Sequence, residues 1–187
     1  QILMQRVVKG ATLGELSESL PIDNSSDKTS AEPLQFRRST VEYEKLRQAS
    51  EQFKSKTGNR PAVFLANMGP LRQHKARADF CTGFLEPGGF MVIGSNGFEN
   101  EEEAVKATLD SEAPIVVICS TDDTYPDIVP AFTTRIKEIK PNVVVIVAGY
   151  PKENIDNFRK LGVDDFIHLK ANNLQILKNL QNAAGLY

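Results

Sequence analysis

The segment MGPLRQHKAR (68–77) places one imidazole, His74, shortly after the apolar run AVFLA (62–66). Imidazole is both a metal ligand and a group that titrates near neutral pH. The carboxyl end of a strand in a parallel α/β sheet is where such sheets meet ligands, so His74 heads the candidates. A ligating histidine needs an acceptor on its second nitrogen to fix the tautomer and raise its basicity. No Asp or Glu stands beside His74; Arg72 and Lys75 do. Those cations favour neutral imidazole and accept nothing, which predicts a solvent-facing loop histidine. Ser120, Thr121, Asp122, Asp123 and Thr124 follow the run IVVIC (115–119). Hydroxyls there suit a ligand amide or phosphate, but Thr124 and Asp127 have capping spacing, which makes capping the expected role. Gly149 follows VVVIVA (143–148) and allows close approach to the backbone, narrowed by Ala148 before it and Tyr150-Pro151 after it. His168, in FIHLK (166–170), reads as a packed strand residue, with Lys170 just beyond it.

These residues need a scaffold, and the pattern from Pro61 onward supplies one. Short β-rich runs at 62–66, 90–93, 115–119, 143–148 and 165–169 alternate with helical patterns near 75–86, 100–110, 127–139, 151–161 and 172–184. IVVIC and VVVIVA are apolar without alternation, as strands buried on both faces should be. Asn100 and Glu103 have cap spacing, and Pro87-Gly88-Gly89 ends the first of these helices. Pro130 falls early in the third, which predicts a start near Asp127 or a kink. The pattern predicts an α/β fold, a flavodoxin-like doubly wound five-stranded parallel sheet of order 2-1-3-4-5. Its ligand-facing loops are 67–74, 119–125, 148–152 and 169–173.

Upstream, 1–20 carries the apolar spacing Leu13, Leu16, Leu20, and 22–34 is polar and rich in Ser and Asp, as in a linker. A helix is expected near 41–56, with Ser39 and Glu42 at capping-box spacing and a narrow apolar stripe of Tyr43, Leu46, Ala49/Ser50 and Phe53. We therefore divide the chain into an inter-domain linker segment with its amphipathic helix, 1–58, and an α/β domain, 59–187. The thin apolar face predicts that the linker and helix reach across a partner.

The composition excludes several classes. The 187 residues are 41% hydrophobic and 25% charged, with a formal charge of −2, which argues against a general polyanion or nucleic-acid binder. No apolar stretch approaches the ~20 residues of a membrane span, and the start of the chain lacks a signal-peptide pattern, while Gln1 in place of methionine suggests a fragment or processed product. The only cysteines, Cys81 and Cys119, lie in apolar contexts, as reduced buried thiols of a cytoplasmic protein would. No Cys or His pair has metal-ligand spacing. A receiver-like phosphorylation site also uses five βα units with a lysine after the last strand, as Lys170 is here. Its magnesium needs clustered carboxylates, whereas Asn67-Met68 follows the first strand and Cys119-Ser120 ends the third. That reading is rejected.

Taken together, NRPAVFLANMGPLRQHKARADF (59–80), GFLEPGGF (83–90), VVICSTDDTY (116–125), VIVAGYP (145–151) and LGVDDFIHL (161–169) resemble the C-terminal, cobalamin-binding domain of methylmalonyl-CoA mutase. The likeness is closest to the small (β) subunit of the bacterial heterodimeric enzyme. RVVKGATLGEL (6–16) is similar to the end of the linker leaving that subunit's barrel, and IVPAF (128–132) to a Leu-Val-Pro segment of the cobalamin-binding relatives. The resemblance implies a holoenzyme that interconverts methylmalonyl-CoA and succinyl-CoA, in propionate metabolism, by radical rearrangement with adenosylcobalamin. There the cobalt is held by the histidine of Asp-x-His-x-x-Gly. Aligned without gaps from Met68-Gly69, those positions fall on Leu71, Gln73 and Ala76; a shift of one gives Arg72, His74 and Arg77. Neither register keeps the Asp or the Gly. The family's Ser-Ser after the third strand is Cys119-Ser120, its Gly-Gly after the fourth is Ala148-Gly149, and its Gly-rich turn after the fifth is Leu169-Lys170-Ala171-Asn172.

Losses at several loops of one pocket imply a vestigial site at Leu71, Gln73, His74, Ala76, Ser120, Gly149 and Lys170. No catalytic residue and no cofactor or metal on this chain are expected, and bulky Leu, Arg or Lys side chains are expected to fill the space. The resemblance further implies a structural role beside the large (catalytic) subunit, which carries the adenosylcobalamin, and an isolated fragment without activity. Two other functions remain open: a cobalamin carrier using His74 as axial ligand, and a free-standing adaptor for another protein.

Overall fold

Five parallel strands, β1 (Ala62–Asn67), β2 (Met91–Ile93), β3 (Ile115–Cys119), β4 (Val144–Ala148) and β5 (Asp165–Ile167), form one sheet in the order β2-β1-β3-β4-β5. The structure, a computed structural model, describes residues 2–18 and 38–186. Central pairing is in continuous register, Val63 to Asn67 against Ile115 to Cys119 and Ile115 to Ile118 against Val144 to Val147. The expected flavodoxin-like, doubly wound order is the one observed.

Two cores explain why the central strands show no alternation. Phe64, Ala66, Val116, Ile118, Val145 and Val147 face one core. It is completed from α5 (Glu101–Asp110), α6 (Tyr125–Ile139) and α7 (Ile155–Leu161) by side chains such as Ala104, Phe132 and Phe158. The intervening Val63, Leu65, Ile115, Val117, Cys119 and Ile146 face the other. That core is closed by Leu46, Cys81, Leu85 and Leu177 from α3 (Val41–Thr57), α4 (Leu71–Leu85) and α8 (Asn173–Ala183). Successive residues of a strand point to opposite faces, so a sheet covered twice must be apolar at both parities.

The helix at 41–57, expected as part of a linker segment, packs its apolar stripe within the α/β unit. It packs on α8 and on the 3-10 turn Glu86–Gly88, so the compact unit includes this helix and begins ahead of residue 59. Leu46 is fully buried, which stabilises by about 1.5–3 kcal/mol. Gln181 Nε2 donates to Leu46 O (2.8 Å), Gly88 O (2.8 Å) and Ser50 Oγ (3.0 Å), while Ser50 Oγ donates to Gly88 O (2.9 Å). A buried amide with its acceptors in place holds one docking geometry that greasy contact alone would not specify. Gly89, at φ +78, permits the approach, since a Cβ there would lie 2.7 Å from Ser50 Cβ. At the rim Lys178 Nζ reaches Glu42 Oε2 at 2.8 Å, and Lys178, then Lys45, hold the Glu42 carboxyl down at about 2.

Several boundaries shift for local reasons. The N-cap of α3 is Thr40, not Ser39, and its hydroxyl bonds the Glu44 carboxylate (3.0 Å) rather than a backbone amide, so the expected capping box is absent. Asn100 does cap α5, accepting from Glu103 N at 2.9 Å, and Asn172 caps α8, accepting from Gln175 N at 3.1 Å. α6 begins at Tyr125, two residues before Asp127, with Pro126 in the first turn where its missing N–H costs nothing. α7 begins at Ile155 rather than 151. The separate N-terminal unit holds α1 (Ile2–Val8) and α2 (Leu13–Glu18). Thr12 and Glu15 form a reciprocal capping box there, with Thr12 N donating to Glu15 Oε2 at 2.8 Å and Glu15 N to Thr12 Oγ1 at 3.4 Å. Leu20 and the linker 22–34 lie outside the described residues.

Candidate functional site

The loops expected to face a ligand meet at the carboxyl ends of β1, β3 and β4, and short polar contacts tie them together. After β1, Phe98 N donates to Asn67 O and Gly69 N to Phe98 O, both at 2.8 Å, so the loop after β2 is stitched to the loop after β1. Asn67 Nδ2 donates to Ser95 O at 2.7 Å. Gly69 turns the chain at φ +76, a conformation that suits glycine. A Cβ at Gly69 would collide with Gln73 Oε1, so the Gln73 side chain is folded over this turn. Helix α4 then begins at Leu71, four residues before the sequence pattern placed it.

His74 consequently lies in the first turn of α4 and is buried, 4% exposed. This corrects the solvent-facing loop histidine expected from its polar neighbours. Those neighbours point elsewhere: Lys75 Nζ pairs with Asp79 at 2.6 Å on the exposed side of the helix. His74 Nε2 faces the loop after β2, where a Cβ at Gly97 would lie 2.9 Å from it and would collide with Gly69 O. Nδ1 is buried without a hydrogen-bond partner among the described residues. Burial first, and the Lys75 charge second, hold the His74 pKa below its ordinary value, so the imidazole is neutral at pH 7.

The crevice above β3 and β4 is crossed by a contact that the sequence did not advertise. Arg77 Nη2 meets Asp122 Oδ1 at 2.9 Å, joining the second turn of α4 to the loop after β3. Both groups rest on Gly149: a Cβ there would lie 2.9 Å from Asp122 Oδ1 and 3.0 Å from Arg77 Nη1. At the neighbouring ends of β3 and β4, Cys119, Ser120 and Ala148 are fully buried. Tyr125 OH donates to Ala148 O (2.6 Å) and accepts from Ser120 N (3.0 Å), tying the ends of β3 and β4. Burial is the largest influence on that hydroxyl and pushes its pKa well up. The Cys81 thiol, and after it burial, push the Cys119 thiol up as well. Ser120 Oγ donates to Met68 O at 3.4 Å and accepts from Thr124 Oγ1 at 2.8 Å. The Thr124 hydroxyl therefore serves the loop and does not cap α6, as spacing had suggested.

Of the predicted positions, Gln73, His74, Ser120 and Gly149 share this edge. Leu71 (64% exposed), Ala76, Leu169 (89% exposed) and Lys170 face solvent. Leu71, Arg72 and Lys170 thus do not fill the crevice, contrary to expectation; Arg77 and Asp122 cover it instead. His168 is packed as expected, its ring centroid 4.5 Å from that of Tyr150 and its Nδ1 accepting from Lys170 N at 3.3 Å. Sequence reasoning passed over Tyr125. The available signal was an aromatic at the start of a Pro-led helix, directly after a hydroxyl-rich loop.

Tested against a histidine-ligated cobalamin, these residues do not fit. Of the two imidazoles near the edge, His74 faces inward against backbone and lacks an acceptor to orient it, and His168 packs on Tyr150 with its Nδ1 taken by Lys170 N. The glycine that would admit a ligand to β4 is covered by an ion pair. Among the described residues no group of three or more His, Cys, Asp or Glu is placed to hold a metal ion. None of the described helices is long and apolar enough to cross a membrane.

Sheet order and edge together define a flavodoxin-like open α/β domain whose ligand edge is occupied by its own side chains. Receiver domains from a Pseudomonas aeruginosa sensor histidine kinase and a Francisella response regulator superpose with TM-scores of 0.48 and 0.47 at 13% and 18% identity. They cover 67% and 66% of this chain and 98% and 96% of those domains. No family model matches the sequence. The methylmalonyl-CoA mutase small subunit of Porphyromonas gingivalis is 36% identical over 84% of this chain and 24% of that protein. The small subunit of Streptomyces virginiae is 30% identical over 65% of this chain and 20% of its own length. A large subunit, from Propionibacterium freudenreichii, is 26% identical over 67% of this chain and 17% of its own length. The chain is a homologue of the methylmalonyl-CoA mutase small subunits, and it spans about a quarter of the length of the curated relatives it matches first, 24%.

Proposed function

We propose that this chain is the cobalamin-domain-like part of a methylmalonyl-CoA mutase small subunit and that its role is structural. In that reading the holoenzyme, with adenosylcobalamin on its large subunit, isomerises methylmalonyl-CoA and succinyl-CoA. This chain packs against that subunit and supports the heterodimer without catalysing anything itself. The two buried, reduced thiols suit the reducing cytoplasm. The observation that carries the reading is the match to small subunits over most of this chain, joined to an inward-facing histidine at the position a ligand would need. The pocket positions Leu71, Gln73, His74, Ala76, Ser120, Gly149 and Lys170 are accordingly vestigial.

Titration with adenosylcobalamin, followed by absorbance, tests the cofactor half; no base-off change is expected. A base-off spectrum that disappears in His74→Ala would establish the carrier reading instead. Co-purification tests the partner half, with retention of the large subunit expected. Selective capture of an unrelated protein, with the large subunit left behind, would defeat the mutase assignment.

A further inference from the structure

Between the first half of α3 and the last half of α4 runs a groove walled by Tyr43, Phe80, Phe84 and Pro87. The rings of Phe80 and Phe84 stand 6.1 Å apart at 45°. Asn173 Nδ2 donates to Phe84 O at 2.8 Å, which ties the start of α8 to one wall. A volume of about 560 Å³ would suit a small molecule, but the groove is open along one side, whereas such ligands are buried over most of their surface. Two features of the rim point outward. Gly83 lies in the last turn of α4, and glycine within a helix costs up to about 1 kcal/mol relative to alanine. Nothing among the described residues requires it, since a Cβ there would meet no atom within 4 Å. Arg47 is exposed and has no ion pair among the described residues, while the other charge on the rim, Asp79, is taken by Lys75 at 2.6 Å.

We propose that this groove is where the large subunit seats on the domain, with one large apolar side chain between the aromatic walls and a neighbouring carboxylate on Arg47. Aromatic and arginine side chains are the types that dominate interface binding energy. An unpaired guanidinium beside an apolar groove selects a partner that presents a carboxylate. The bare backbone at Gly83 then allows the partner's chain to approach α4 closely. The identity of the partner rests on the small-subunit reading. The chemistry of its docking segment, an apolar anchor beside an acid, comes from the groove alone.

The test measures binding of the full chain to the purified large subunit by biolayer interferometry, with thermal melting of each variant as the check on folding. Gly83→Gln fills the groove at a position with room for a side chain, so the melting temperature should hold or rise. Its binding should weaken by about tenfold or more, as when a central interface contact is lost. Arg47→Glu, on the exposed side of α3, should weaken binding about tenfold by turning attraction into repulsion. Arg135→Ala, which breaks the remote Arg135–Glu138 pair on α6, should bind as wild type. Undiminished binding by either groove variant would overturn the groove and leave the subunit assignment standing. A wild-type chain that does not bind the large subunit would defeat the assignment as well. A dimer of the chain alone in sedimentation, abolished by Gly83→Gln, would overturn the proposal by making a second copy the occupant.

Discussion

The carboxyl edge of the sheet and the seam between α3 and α8 hold the domain in opposite ways. At the seam the polar groups are deep: Gln181 and Ser50 are fully buried, and their bonds run to backbone carbonyls beside Leu46. At the edge the charged pair is outside and half-exposed, while the nearby residues Ser120 and Tyr125 are fully buried. Burial sets what each contact is worth. A buried hydrogen bond that loses one partner exacts the desolvation of the other, whereas an exposed ion pair trades protein for water at little cost. The region that its sequence marked for partner binding is thus the firmly fixed one. The region that its sequence marked as a ligand site is bridged by a contact of small energy.

Substitutions can break or sharpen that contrast. Leu46→Ala should cost the most, about 2–5 kcal/mol, read from urea denaturation; a loss well below 1 kcal/mol would mean that α3 is not a working part of the domain. Gln181→Ala should follow at about 1–3 kcal/mol, because it removes the buried amide that joins Leu46 O, Gly88 O and Ser50 Oγ across the seam. At the edge, Tyr125→Phe should cost about 1–2 kcal/mol by leaving Ala148 O and Ser120 N without their partner. Arg77→Ala should change global stability by no more than about 1 kcal/mol. A larger loss there would make the edge as firm as the seam and erase the contrast.

Acid should also separate the two regions. Folding holds His74 below 6.5, so the unfolded chain binds a proton that the folded chain does not. Its stabilisation is complete above about 6.5 and declines as the pH falls below that value toward the depressed one. Glu42 is depressed from 4.5 to about 2, so its contribution is complete above 4.5 and is lost only between those values. Stability measured against pH should therefore fall first through the edge and later through the seam. His74→Gln should flatten the first decline alone; a curve unchanged by that substitution would assign the decline to other groups.

Much of the fold was legible because it depends on bulk apolarity. IVVIC and VVVIVA predicted central parallel strands, and both are buried on two faces. The seam was not legible, since Ser50 and Gln181 are polar and reveal their value only when the fold brings them to 3.0 Å across a sequence separation of 131. His74 was misplaced for a related reason. Arg72 and Lys75 suggested water, but the turn at Gly69 starts the helix early enough to rotate His74 inward and Lys75 outward. Arg77 first entered only as a lost glycine in one register of a motif. Its contact with Asp122 crosses 45 residues and has no local signature.

Docking of α3 also sets an order of events during synthesis. Gln181 meets Leu46 at a sequence separation of 135, so the first helix of the α/β unit can rest on the 3-10 turn early but completes its docking only when the last helix has emerged. Until then Leu46 and the far face of the sheet lack their cover, and closing so long a loop delays the final step. A chain that stops short of Gln181 leaves the ribosome with a complete five-stranded sheet and a first helix seated on the 3-10 turn but uncovered on its α8 side, open to association with whatever apolar surface is nearby.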